Sequence, residues 1–154
     1  MIMNDKVKLT GQIELLLKDF SGRVKEHRFI LNTITDLGKA EAAGLLIPTA
    51  GTTFDYIAIG TDTPSSTALG GECTDSGGER RGGADVTTSQ VTTTVTNDTA
   101  QFVTTFTFTG SLGITEEGIF NAASAGVMLA SQSFSVLNVA SGDTLAITHK
   151  VKCA

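Results

Sequence analysis

Between residues 86 and 109 apolar and hydroxyl side chains alternate with a period of two, and this pattern restricts the chain to a narrow set of folds. Val91, Thr93 and Val95 take one parity, and Thr92, Thr94 and Thr96 the other. After Asn97-Asp98 the alternation resumes, with Phe102, Thr104, Phe106 and Phe108 on one face and Val103, Thr105, Thr107 and Thr109 on the opposite one. Successive side chains of an extended strand point to opposite sides, so the pattern predicts antiparallel sheet with one apolar face and one covered in hydroxyls. The three rings share a parity, which makes them core rather than a stacking platform for sugars or bases.

The rest of the chain continues in the same style. Residues 7–18 alternate well enough for a strand, Asp19-Phe20-Ser21-Gly22 carries a turn signature, and a second strand runs to about residue 31. The resulting N-terminal hairpin, 7–31, carries Lys25, Glu26, His27 and Arg28, long polar side chains expected at a sheet edge or at a surface that meets something else. Residues 36–47 are rich in Leu, Ala, Lys and Glu, with Thr35 or Asp36 as cap, and predict one short helix. Its expected apolar face is Leu37, Ala40, Ala43 (or Gly44) and Ile47, and Pro48 is its stop. A short buried strand is expected at 54–61, then a long Gly-, Ser- and Thr-rich loop at 62–84, of a length that in a compact domain has a job or moves. Further strands are expected at 86–95, 101–109, 118–122, 127–137 and 144–153. The predicted fold class is all-β: an antiparallel β-sandwich, jelly-roll-like or a flattened barrel, with one short α-helix near 36–47, forming a single domain over 1–154.

A chain of 154 residues is long enough for a core that needs no metal or disulfide. Its formal charge of −5 argues against a nucleic-acid partner, because neutralising phosphates takes a clustered excess of Lys and Arg. No apolar run is long enough for a membrane helix, and Met1-Ile2-Met3-Asn4-Asp5 lacks the order of a signal peptide, so synthesis in the cytoplasm is expected. Cys73 and Cys153 stand in no metal-like spacing; two reduced thiols is the plain reading, and a bridge tying the long loop to the C-terminus is the alternative.

Residues able to do chemistry are few. His27 and His149 are the only histidines, both inside strand-like segments without a second ligand at metal spacing, and read as surface or subunit-contact imidazoles. Glu116 and Glu117 point to opposite faces if extended, so they cannot flank one substrate, and are expected to solvate a turn. The glycine-rich stretch 70–83 lacks the Gly-Lys-Ser/Thr ending of a phosphate loop, and reads as a flexible or partner-ordered loop. No Ser elbow and no calcium-loop spacing is present. The expectation is a non-enzyme, with no catalytic, cofactor or metal residues.

Two stretches resemble virion proteins of tailed bacteriophages and their prophages. The first is Phe54-Asp55-Tyr56-Ile57-Ala58-Ile59-Gly60-Thr61-Asp62-Thr63-Pro64 with Thr67-Ala68-Leu69 and Glu72-Cys73-Thr74-Asp75-Ser76-Gly77. The second runs from Phe106 through Gly110-Ser111-Leu112-Gly113-Ile114-Thr115-Glu116-Glu117-Gly118-Ile119-Phe120-Asn121-Ala122 and Met128-Leu129-Ala130 to Gly142-Asp143-Thr144-Leu145. With Asn32-Thr33-Ile34-Thr35-Asp36-Leu37-Gly38-Lys39, the resemblance covers about residues 29–151. The chain departs from the pattern at Gly78-Glu79-Arg80-Arg81-Gly82-Gly83, where an Ala-rich segment is usual, and at His149, which replaces an aromatic. The resemblance implies a structural part of the virion: a capsid cement (decoration) protein on the head surface, bridging capsomers, with the major capsid protein and its own copies, as a homotrimer, for partners. A tail or baseplate-associated component is the alternative, and a carbohydrate-binding β-sandwich module a second one. The expected contact segments are the hairpin and the loop, with Lys25, His27, Arg28, Glu72, Glu79, Arg80 and Arg81 as candidate partner contacts.

Overall fold

A computed structural model describes residues 7–48 and 51–154; the reading of Met1–Asp5 lies outside them. In chain order the elements are β1 (Leu9–Lys18), β2 (Val24–Ile34), α1 (Asp36–Gly44), β3 (Tyr56–Gly60), β4 (Arg81–Gly82), a 3-10 turn (Gly83–Asp85), β5 (Thr87–Val91), β6 (Thr99–Thr107), β7 (Leu112–Phe120), β8 (Met128–Val139) and β9 (Thr144–Cys153). The strands form one antiparallel sheet in the order β4-β3-β7-β8-β2-β1-β9-β6-β5. It curls into a half-barrel, so that β3, β7 and β8 face β1, β9 and β6 across a shared interior.

Over β1, β6 and β9 the alternation does what period two requires, but the stretch 92–96, expected to continue a strand, does not: β5 ends at Val91, and the backbone N–H groups of Thr93, Thr94 and Val95 turn to the Asp98 carboxylate. Ile13, Leu15 and Leu17 of β1 lie beside His149, Ile147 and Leu145 of β9, which in turn lie beside Phe102, Thr104 and Phe106 of β6. All of these are buried. On the reverse side of the same three strands run Gln12, Glu14 and Leu16, then Lys150, Thr148 and Ala146, then Gln101, Val103 and Thr105. Ile57 and Ile59, Ile114 and Ile119, and Leu129, Leu137 and Val139 close the core from the other layer.

The first hairpin turns as its residues demand. The Asp19 carboxylate accepts from the backbone N–H of Ser21 and of Arg23, and Gly22 adopts φ +86, a conformation open to glycine. Thr35 caps α1, accepting from the Gly38 N–H at 2.8 Å. The helix itself differs from expectation. It ends at Gly44, ahead of Pro48, and Leu37, Ala40, Ala43 and Ile47 are exposed. Its buried residue is Gly38, pressed so close to β8 that a Cβ there would sit 2.4 Å from the Leu129 carbonyl oxygen. Close backbone approach, rather than an apolar stripe, seats this helix.

β7 begins at Leu112, well before residue 118. The β7–β8 register shifts between Ile114 and Glu116, where a bulge changes the phase of the alternation. Ile114 and Glu117 therefore both face the interior, while Thr115 and Glu116 meet the 62–84 segment on the outside. A strict period-two template cannot see such a strand.

Candidate functional site

The interior polar groups come first, because the sequence places them elsewhere. Glu117 and His149 are fully buried, neither at a turn nor at the surface. His149 Nδ1 lies 3.0 Å from both carboxylate oxygens of Glu117, joining β9 to β7 across the core, and its Nε2 meets the Asn32 amide on β2. Gly11 makes room for that amide: a Cβ at Gly11 would lie 1.9 Å from Asn32 Oδ1. Asn32 Oδ1 is buried without a partner. A carboxylate, an imidazole and an amide in line are a hydrolase-like set, yet with the carboxylate and imidazole at zero exposure no substrate reaches them in this conformation. They act as a polar tie between the two layers.

Glu116 is equally buried and faces the other way. Its carboxylate accepts from the backbone N–H of Gly70 at 2.9 Å and of Gly71 at 2.7 Å. Loop 62–84 is thus pinned, not flexible. Further ties come from the Cys73 N–H to the Ile59 carbonyl, the Thr61 N–H to the Gly71 carbonyl, and the Thr109 N–H to the Ser76 carbonyl. The loop lies over a small second apolar cluster of Ala58, Leu69, Phe120 and Met128, with Tyr56 packed against it. Burial of the Cys73 thiol pushes its pKa up to about 11; both cysteines are free, and Cys153 is exposed.

Of the loop residues expected to contact a partner, Arg80 is the most internal. Its guanidinium stacks over the Phe120 ring at 3.8 Å, donates to both oxygens of Glu72 at 2.7 and 2.6 Å, and donates to the Ala122 and Ala125 carbonyls. Planar stacking plus bidentate pairing suits arginine and no other cation. Arg81 donates to the Gly77 carbonyl and lies over Phe106, 5.4 Å from the ring centre. Glu79 alone of this group is exposed to solvent.

The hairpin residues divide in a similar way. β2 and β8 pair only at Thr33–Ser131 and Ile34–Ala130 and then separate, leaving two strand edges without partners among the described residues. Arg28 crosses that opening to the Ser135 and Val136 carbonyls while pairing with Glu26, and Lys25 reaches Asp143 at 2.5 Å and the Asn138 carbonyl. Inward-pointing charges of this kind guard an edge against pairing with another chain. The edge was legible in the sequence; the engagement of Lys25 and Arg28 with β8 was not. His27 does face outward, 2.7 Å from Glu14 and packed beside Phe29.

Among the described residues the candidate contacts and hydroxyl strands lead to a broad outer face. Thr87, Thr105, Thr107 and Ser89 are exposed on β5 and β6, continuing the hydroxyl pattern, and Thr148 and Lys150 of β9 are partly exposed beside them. At the β2 end the same face turns apolar, with Phe29 and Leu31 exposed. The signal for this was the run Phe29-Ile30-Leu31, apolar on both parities, which asks for cover on both sides of the sheet. Among the described residues no group of three or more His, Cys, Asp or Glu comes together as a metal site would need, and no helix is long and apolar enough to cross a membrane. No family model, curated protein or solved structure matches the chain.

Proposed function

We propose that the chain is a structural part of a tailed-phage virion, a capsid cement protein that sits on the outside of the head, contacts the major capsid protein and its own copies as a homotrimer, and bridges capsomers. The resemblance of residues 29–151 to such virion proteins carries the reading. It is supported by a broad, hydroxyl-rich outer face on β5, β6 and β9, and by a long loop clamped onto the sheet. A rigid face of this kind makes wet, polar contacts that are weak singly and tight when repeated over a lattice. The role is to hold neighbours in place, not to turn over a substrate.

Copy number in purified virions tests the proposal. Hundreds of copies in the head fraction agree with it. A handful of copies, or recovery with separated tails, refutes the cement role and moves the chain to the tail or baseplate.

A further inference from the structure

Beside the hydroxyl face lies a surface that a soluble chain does not leave open without consequence. α1 and the far end of the β1–β2 hairpin enclose a groove of about 780 Å³, lined by Val7, Leu31, Ala43 and Leu46, with Lys39 at its margin and the Cys153 end of β9 beside it. Val7 is 83%, Leu31 77% and Leu46 86% exposed, and Phe29, two residues from Leu31 on the same side of β2, is 60% exposed. At those exposures these four side chains present roughly 600 Å², the upper end of the largest apolar patch on a typical monomer. That approaches the ~800 Å² each partner buries in a standard interface.

We infer that this surface, Phe29, Leu31 and Leu46 around the α1–hairpin groove, is where copies of the chain meet one another, patch to patch around a symmetry axis. Charge selects the occupant. The whole chain carries −5, so two copies repel unless they meet through a neutral region. Few charges stand at this rim: Asp36 pairs with Lys39 at 2.9 Å, Glu14 hydrogen-bonds the His27 ring at 2.7 Å, and Lys8 adds one cation to the lining. Such a patch, dominated by apolar side chains, meets its own image with few like charges opposed, whereas a strongly charged partner finds little here to complement. Shape agrees, since Phe29 stands just outside the groove on the same strand face and offers a ring to the groove of the neighbour. The guarded β2 edge points to the same conclusion: with Arg28 engaged on β8 and Lys25 on the Asn138 carbonyl and Asp143, association by strand addition there is blocked, and the face of β2 is what remains. The inference rests on the virion reading only for its biological setting and names the surface of the self-contact in it.

The test is sedimentation velocity on the purified full-length protein across a concentration series, wild type against the triple variant Phe29→Ser, Leu31→Ser, Leu46→Ser. All three positions are exposed, so the variant should fold, which its circular dichroism and thermal unfolding verify. Wild type is expected as a discrete oligomer, and the variant near 16.0 kDa with association weakened ~100-fold or more. A second readout is alkylation of Cys153, which lines the groove and should react faster in the variant than in the wild type. The control Phe20→Ser, 83% exposed in the turn at the opposite end of the hairpin, should associate as wild type does. A monomeric wild type at every concentration overturns the inference, as does an oligomer that the triple variant leaves unchanged. Neither result bears on copy number in virions, so failure of this contact and failure of the cement role are told apart.

Discussion

Replacing Glu117 or His149 singly should destabilise the protein severely, and replacing both should not. The carboxylate and imidazole are fully buried and 3.0 Å apart, with Ile13 and Phe102 beside the imidazole in the sheet. As an ion pair at that distance the two would attract by about 5 kcal/mol at an effective dielectric of 20, and as neutral groups by a single buried hydrogen bond. The cost of removing both from water is several kcal/mol per ion, so the pair contributes little net stability. Removing one partner is a different matter. In Glu117→Met, the imidazole Nδ1–H faces an apolar core with no acceptor; in His149→Phe, the carboxylate loses its donor. Each should cost about 3–5 kcal/mol, out of a typical total of 5–15. The double variant Glu117→Met, His149→Phe fills the same space with apolar atoms, and puts at 149 the aromatic that the resembling virion proteins carry. The half-buried Asn32 amide still loses its imidazole partner, at about 1–2 kcal/mol, so stability should fall within ~2 kcal/mol of wild type, well short of the sum of the two single losses. Urea unfolding measures this: for an m-value of about 2 kcal/mol/M, each single variant lowers the midpoint by roughly 1.5–2.5 M, and the double variant lowers it by no more than about 1 M. If either single variant shifts the midpoint by less than ~0.5 M, or the double variant loses the sum of both, the tie is not what joins the layers.

Three further outcomes are expected. Glu116→Gln keeps the shape but replaces an acceptor oxygen by an amide nitrogen, so the Gly70 and Gly71 N–H groups lose charge-assisted bonds worth about 2–4 kcal/mol together. Limited proteolysis should then cut within 62–84 in the variant and spare that segment in wild type; equal resistance would show that the carboxylate does not pin the loop. Acid should weaken two turns. The Ser21 hydroxyl and the backbone N–H groups of Ser21 and Arg23 hold Asp19 down at about 2, and the N–H groups of Val95, Thr93 and Thr94 with the Thr99 hydroxyl hold Asp98 well below the usual carboxylate range. Both lie below their unfolded value near 4, so the stability they add is complete above ~pH 4 and is lost as pH falls from there through the folded values. A stability profile from pH 5 to 2 should flatten in Asp19→Asn, Asp98→Asn, and an unchanged slope would contradict the assignment. Iodoacetamide near neutral pH should label Cys153 and leave Cys73 until the protein unfolds, which peptide mapping checks; early labelling of Cys73 would contradict its burial.

What could be read from the chain follows the range of the forces involved. The strands β1, β2, β6, β8 and β9, the Phe102–Phe106–Phe108 core parity, the Asp19–Gly22 turn and the Thr35 cap rest on neighbours within a few residues, and local sequence determined them; the alternating stretch 92–96 instead wraps the Asp98 carboxylate. The seven candidate contacts are polar, and local sequence reads a polar residue as solvent-facing. His27 and Glu79 do face solvent, but tertiary structure turns Arg28 to β8 at Ser135 and Arg80 to Phe120 and Ala122, and, outside that set, Glu117 to His149. These contacts join groups remote in sequence, and only the fold brings them together. The bulge near Thr115 completed the concealment by changing the phase of β7, so that adjacent glutamates became one clamp for the loop and one tie for the core. Periodicity along a chain states which side of a strand a residue takes; whether that side meets water or another layer depends on how the sheet curls.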